Sequence, residues 1–130
     1  VAPVGRIRTP LSRVRFLGSA RGGTRDFWMI RVTGAALFLL SFIFVAVLIV
    51  AIGSPYEDVI GLIGSPLVAA VFVLLIAVTA IHMRIGMQEI IEDYLHHEPA
   101  KLLASVANTF FAAAVGVVGA IAVIQIAVQA

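Results

Sequence analysis

The chain contains no cysteine. Disulfides, thiolate metal sites and cysteine-ligated iron–sulfur clusters are therefore excluded within it, and metal chemistry falls to histidine. Charge is also scarce: charged residues make up 12% of the 130, against 62% hydrophobic residues and a mean hydropathy of +1.11. A soluble domain carries about 25% charged residues, so the solvent to be considered is the bilayer. Basic residues are nearly missing from the body of the chain. Seven of the nine (Arg6, Arg8, Arg13, Arg15, Arg21, Arg25, Arg31) precede the first apolar run. That asymmetry is a membrane-topology signal, and no nucleic-acid partner is expected. Glycine-rich phosphate loops, a P-loop and a Ser–His–Asp set are absent too, which removes the nucleotide-binding and hydrolase classes those motifs mark.

What the chain has in abundance is long hydrophobic runs. A hydrocarbon core of about 30 Å takes about 20 helical residues to cross, and three segments meet that length. The first, Val32 to Ile52, has no charge; the second starts after Ser65-Pro66 and carries His82 and Arg84; the third runs from near Lys101 to the C-terminus, with Asn108, Thr109 and Gln125 as polar interruptions. Pro66 and Pro99 suit first-turn positions, and Ser65 suits the N-cap of the second helix. The expectation is an all-α membrane protein with helices at about 32–52, 67–92 and 101–128, following a basic arm of residues 1–31. Between the first two spans, Gly53 to Pro66 suits an interfacial half-helix with Tyr56 at headgroup level.

The first loop has no Lys or Arg and holds Glu57 and Asp58. The positive-inside rule then places the N-terminus in the cytoplasm, the first loop and the C-terminus outside, and the segment from Gln88 to Ala100 on the cytoplasmic side. The arginine-rich, acid-poor lead also resembles a transit peptide, but a 21-residue apolar run is longer than a signal-peptide core, and a mature cytoplasmic arm is the expectation.

The polar residues in and beside the spans ask for reasons. An ionisable side chain at mid-span costs about 2.5 to 3.5 kcal/mol on insertion scales. His82 lies fifteen residues after Leu67, about 23 Å along a helix and so inside the hydrocarbon. Taken alone it is either a hydrogen-bonded bundle residue or a metal ligand. Gly86, one turn further on the same face, leaves a surface free of side chains, where a macrocycle can approach or where helices can pack. With a single intramembrane histidine, a six-coordinate haem needs its second axial ligand from another subunit. Arg84 reads as a snorkelling residue. Arg31 is either a positive-inside anchor or a carboxylate partner in bidentate geometry, suited to a haem propionate. Asp93 and Tyr94 fall about 17 to 18 Å beyond His82, at the membrane boundary. A tyrosine there is an aromatic-belt anchor, or a phenol that donates to a quinone carbonyl with the carboxylate beside it. His96, His97 and Glu98 read as a solvated loop rather than a metal site. Ala112, Gly116 and Ala120 form a small-residue stripe of the kind that serves assembly with other spans.

Together, "IHMRIGMQEIIEDY" resembles the His-x-x-Ile-Gly-Met segment followed by Asp-Tyr in the hydrophobic membrane anchor of succinate dehydrogenase (respiratory complex II). The match is carried by His82, Ile85, Gly86, Met87, Asp93 and Tyr94. "LGSARGGTRDFWMIRVTG" (Leu17 to Gly34) resembles the α-proteobacterial lead into the first span, and the similarity covers roughly residues 10 to 125. Some relatives carry a histidine where this chain has Arg25.

This resemblance implies a three-helix half of a six-helix haem-binding bundle. The other half is the cytochrome b556 subunit, and the bundle lies beneath an iron–sulfur subunit joined to a flavoprotein subunit. His82 then corresponds to an axial ligand of haem b, and Arg31 lies near the propionates. The resemblance further implies that Tyr94 hydrogen-bonds ubiquinone, supported by Asp93, that the chain resides in the bacterial inner membrane, and that it is a non-flavin subunit rather than an enzyme on its own. Two rivals remain beside this expectation: a haem-free structural anchor, and a small three-span transporter or accessory protein. The second span has no central Gly or Pro break and the chain no evident repeat, both of which small transporters commonly need.

Overall fold

The computed structural model describes residues 22–130, and all its regular structure is helical: α1 (Gly22–Ala51), α2 (Tyr56–Gly64), α3 (Pro66–Tyr94) and α4 (Glu98–Gln129). Most of the expected basic arm lies outside the described residues. The part within them, Gly22 to Arg31, differs from the expected arm: it is helical, and α1 begins ten residues before Val32. The three long helices have 30, 29 and 32 residues, about 44 to 48 Å at 1.5 Å per residue. Each exceeds the hydrocarbon core. All three are long and apolar enough to span a membrane.

Local chemistry sets the boundaries. Beyond the last turn of α1, Gly53 takes φ +83°, a left-handed conformation that ends helices and that glycine adopts without a Cβ penalty. Acidic Glu57 and Asp58 sit in the first turn of α2, and Glu98 in that of α4, where the helix dipole favours negative charge. Pro66 and Pro99 occupy first-turn positions as expected. Ser65 stands at the N-cap of α3 but does not cap it with its side chain. Its hydroxyl donates back to the Leu62 carbonyl at 2.7 Å, tying the end of α2 instead. The expected half-helix between the first two spans is α2.

α3 lies at the centre, antiparallel to α1 on one side and to α4 on the other. The packing against α4 uses small residues: Ala112 is buried, and a Cβ on Gly116 would come within 3.3 Å of the Ala80 Cβ. The Ala112, Gly116 stripe therefore serves close approach inside this chain. On α1 the buried residues are Thr33, Leu40 and Val47, one every seven positions, so this helix meets α3 along a single line. Phe44 and Phe72 close that seam with ring centroids 5.8 Å apart. Phe38, Leu39, Phe42 and Ile49 on α1 are exposed, an outer surface that only lipid or further apolar helices can cover.

Hydroxyl groups in the spans are satisfied within their own helices. Ser41 donates to the Phe38 carbonyl, Thr79 to Leu75 and Thr109 to Ser105, as the absence of water in the bilayer demands. No buried side-chain nitrogen or oxygen among the described residues lacks a partner.

Candidate functional site

The antiparallel register of α1 and α3 brings Thr33 and Gly34 opposite His82. His82 is sixteen residues past Pro66 and twelve before Tyr94, about 24 and 18 Å from the two ends of α3, and it is half-buried. Its Nδ1 lies 2.8 Å from the Thr33 hydroxyl oxygen. A Cβ added to Gly34 would stand 3.4 Å from its Cε1, so the glycine lets the backbone of α1 come up against the ring. The Nδ1–Cε1 edge of the imidazole therefore faces α1.

Nε2 has no hydrogen-bond partner among the described residues. Because no buried polar atom is left unpaired among them, Nε2 lies at the surface that the described residues present. One nitrogen is tied down internally and the other is open to a group from outside. Gly86 is on the same face of α3, and a Cβ there would meet only Ile30 Cδ1, at 3.9 Å. That is ordinary contact, so packing within this chain leaves room for a side chain at Gly86. A flat group beside His82 fits this cradle, and a neutral imidazole with a free ring nitrogen is a standard haem donor.

The other expected residues gather at one end. Arg31 is exposed, with its guanidinium carbon 4.0 Å from the centroid of the Phe27 ring, an arrangement that holds the cation by the ring quadrupole. Asp93 and Tyr94 lie at the C-terminal end of α3, and Tyr94 is 78% exposed. No hydrogen bond joins Asp93 to Tyr94 among the described residues, and successive residues on a helix do not face each other. Both side chains are presented to whatever lies outside the chain. His96 and His97 are exposed in the connection to α4, with His96 Nδ1 at 3.2 Å from the Tyr94 carbonyl. No cluster of three or more metal-ligating residues occurs among the described residues.

A polar cleft of about 590 Å³ opens between α1 and α3 at the same end. Arg25, Asp26, Arg84, Gln88, Glu89 and Glu92 line it; Asp93 and Tyr94 do not. Arg84 also reaches α4, donating from Nε to the Thr109 hydroxyl at 3.3 Å. Its own carbonyl accepts from Asn108 Nδ2 at 2.8 Å, and Gln88 donates to Ser105 at 3.1 Å. These bonds form a polar seam joining α3 to α4 one to two turns below Glu92. Thr33 and Gly34 are the site residues that sequence patterns alone did not single out; Asn108, a polar interruption of the third span, finds its partner in the Arg84 carbonyl.

Over residues 5–118 the chain matches the family described as Succinate dehydrogenase/Fumarate reductase transmembrane subunit. It is 34% identical over 86 residues to the succinate dehydrogenase hydrophobic membrane anchor subunit of Paracoccus denitrificans, an alignment covering 66% of this chain and 67% of that one. No solved structure matches it. The three spanning helices, the His82 motif and these similarities agree: the chain belongs to the succinate dehydrogenase/fumarate reductase transmembrane subunit family.

Proposed function

We propose that this chain is the hydrophobic membrane anchor of a succinate:ubiquinone oxidoreductase, and that His82 supplies one axial ligand to a haem b shared with a second membrane subunit. The observation that carries this reading is the asymmetry of the His82 ring, with Nδ1 held by Thr33 and Nε2 open at hydrocarbon depth. A histidine retained only for bundle packing would be expected to have both ring nitrogens satisfied or one facing water. Gly86 supplies the flat approach. Arg31, about three turns from mid-span toward the charged end, is the chain's candidate partner for propionates.

The family to which the chain belongs implies a larger complex, and the open α1 face suits a second set of apolar helices. We assign the cytochrome b556 subunit to that face together with the side on which His82 Nε2 opens, and the iron–sulfur and flavoprotein subunits to the end carrying Arg25, Glu92 and Tyr94. With the basic lead cytoplasmic, that end is the cytoplasmic face of the bacterial inner membrane, and α4 ends in the periplasm. Succinate is oxidised elsewhere in the complex. Tyr94 donates a hydrogen bond from its phenol to a ubiquinone carbonyl, and Asp93 helps position that end of α3. The wet, charged turn from Glu89 to Glu98 gives protons a path to the reduced quinone. Haem bound at His82 would supply a one-electron reservoir whose potential is set by its ligands and surroundings.

The haem-free anchor is the competing reading, and Thr33 satisfies part of its requirement by pairing with His82. A pyridine haemochrome assay on the purified complex separates the two. The proposal expects b-type haem in the wild type and its loss or spectral alteration in His82→Ala. Unchanged haem in that variant, or a fully active complex without haem, would refute ligation.

A further inference from the structure

The Thr33 hydroxyl has contacts that fix where its one proton lies. Its oxygen is 2.6 Å from the Met29 carbonyl and 3.3 Å from that of Ile30, both on its own helix, as well as 2.8 Å from His82 Nδ1. An oxygen pair at 2.6 Å needs a proton between its members, since that is the separation of a good O–H···O bond and is repulsive otherwise. The hydroxyl therefore donates to Met29, the back-bond common for threonine within an apolar helix. With its only proton committed, the oxygen can meet His82 Nδ1 only as an acceptor.

We infer that Thr33 is a positioning residue that holds His82 as the Nδ1–H tautomer, so that Nε2 carries the lone pair and is aimed away from α1. The chain Nδ1–H to Thr33 Oγ1, then Oγ1–H to the Met29 carbonyl, runs in one direction only. It is a relay from the ring to the backbone of α1, and Thr33 is buried at 6% exposure, so water does not compete for it. β-branching leaves threonine few rotamers in a helix, and Gly34 brings the same turn of α1 against Cε1. Orientation and tautomer are thus set by two adjacent residues. A hydrogen bond accepted from the distal ring nitrogen also raises the basicity of the coordinating one, which favours the ferric over the ferrous state and lowers the potential. The part of this inference that concerns iron rests on the proposed ligation by His82; the tautomer does not.

The test uses the purified complex with Thr33→Val, which keeps the shape and removes the hydroxyl, and Thr33→Ser, which keeps the hydroxyl. Redox titration and haem retention form one readout. Thr33→Val is expected to hold haem about 10- to 100-fold more weakly and to titrate at a higher potential, with Thr33→Ser close to wild type. Ring-nitrogen NMR of histidine-labelled protein stripped of cofactor is the other, with the His82 signals assigned by their loss in His82→Ala. A protonated Nδ1 in wild type and Thr33→Ser, giving way to a tautomer mixture in Thr33→Val, is the expected result. A wild-type protonated Nε2, or a Thr33→Val protein indistinguishable from wild type in both readouts, overturns the inference. Equal damage in Thr33→Val and Thr33→Ser overturns it as well, because that would trace the effect to packing. If the complex proves to hold no haem while Nδ1 is protonated, the ligation reading fails and the tautomer assignment stands.

Discussion

Gly119→Ala probes a close approach of α4 to α3. The added methyl would lie 3.0 Å from Cγ2 of Ile76 and 3.4 Å from its Cδ1, whereas carbon atoms prefer about 3.5 to 4.0 Å. Rotation about χ2 moves Cδ1 out of the way but leaves Cγ2 in place, and χ1 of isoleucine in a helix has one strongly favoured setting. The strain must then go into separating the helices, and overpacking of this kind costs about 1 to 3 kcal/mol. Alanine regains about 0.8 to 1.0 kcal/mol of helix propensity over glycine, so the single variant should be destabilised only modestly. The larger signal is coupling. In an Ile76→Ala background the clash is gone, and Gly119→Ala should become stabilising, giving an interaction energy of about 1 to 3 kcal/mol. Gly61→Ala, where a Cβ meets nothing within 4 Å, serves as a propensity control. Equilibrium unfolding of the four proteins in mixed micelles, followed by far-ultraviolet circular dichroism, closes the cycle. Additive effects, or a Gly119→Ala protein as stable as Gly61→Ala, would refute the close α3–α4 approach.

Tyr94→Phe should slow succinate-driven quinone reduction while electron transfer to a soluble dye is nearly intact; equal loss in both assays would assign Tyr94 to assembly. Asn108→Ala removes the bond to the Arg84 carbonyl and should lower stability by about 0.6 to 2 kcal/mol in the unfolding assay, with no change expected if the seam is solvated. Gly86→Ala should not destabilise the fold and should gain up to about 0.8 to 1.0 kcal/mol of helix propensity, because its methyl meets only Ile30 at 3.9 Å, yet it should reduce haem content in the complex. Normal haem content there would detach Gly86 from the cofactor.

Hydropathy made the spans legible because it measures the very quantity the bilayer selects. It was silent on Gly22 to Arg31, since Arg25, Asp26 and Arg31 weaken the apolar signal there and the stretch reads as a charged lead, although it is helical. The pattern from His82 to Tyr94 was visible because unusual residues stand at fixed intervals in an apolar background. Thr33 was not. A single threonine in a span usually bonds only its own helix, as Thr79 does, and its second role exists only once the register of α1 against α3 is known. Asn108 stood out as a polar interruption of the third span, but its partner did not, being a backbone carbonyl that no sequence pattern marks. The small-residue stripe was visible in α4, but the partner for Ala112 and Gly116 is α3 of the same chain. Ser65 kept the N-cap position and lost the capping bond, because the Leu62 carbonyl at the end of α2 is in reach of its hydroxyl.

The most direct measurement is a density map of the intact membrane complex around the middle of α3. Ligation by His82 predicts a porphyrin lying over Gly86 with its iron bonded to Nε2, a second imidazole from a neighbouring polypeptide on the far side, and Nδ1 in contact with Thr33. A map in which Nε2 faces lipid or protein alone would contradict it.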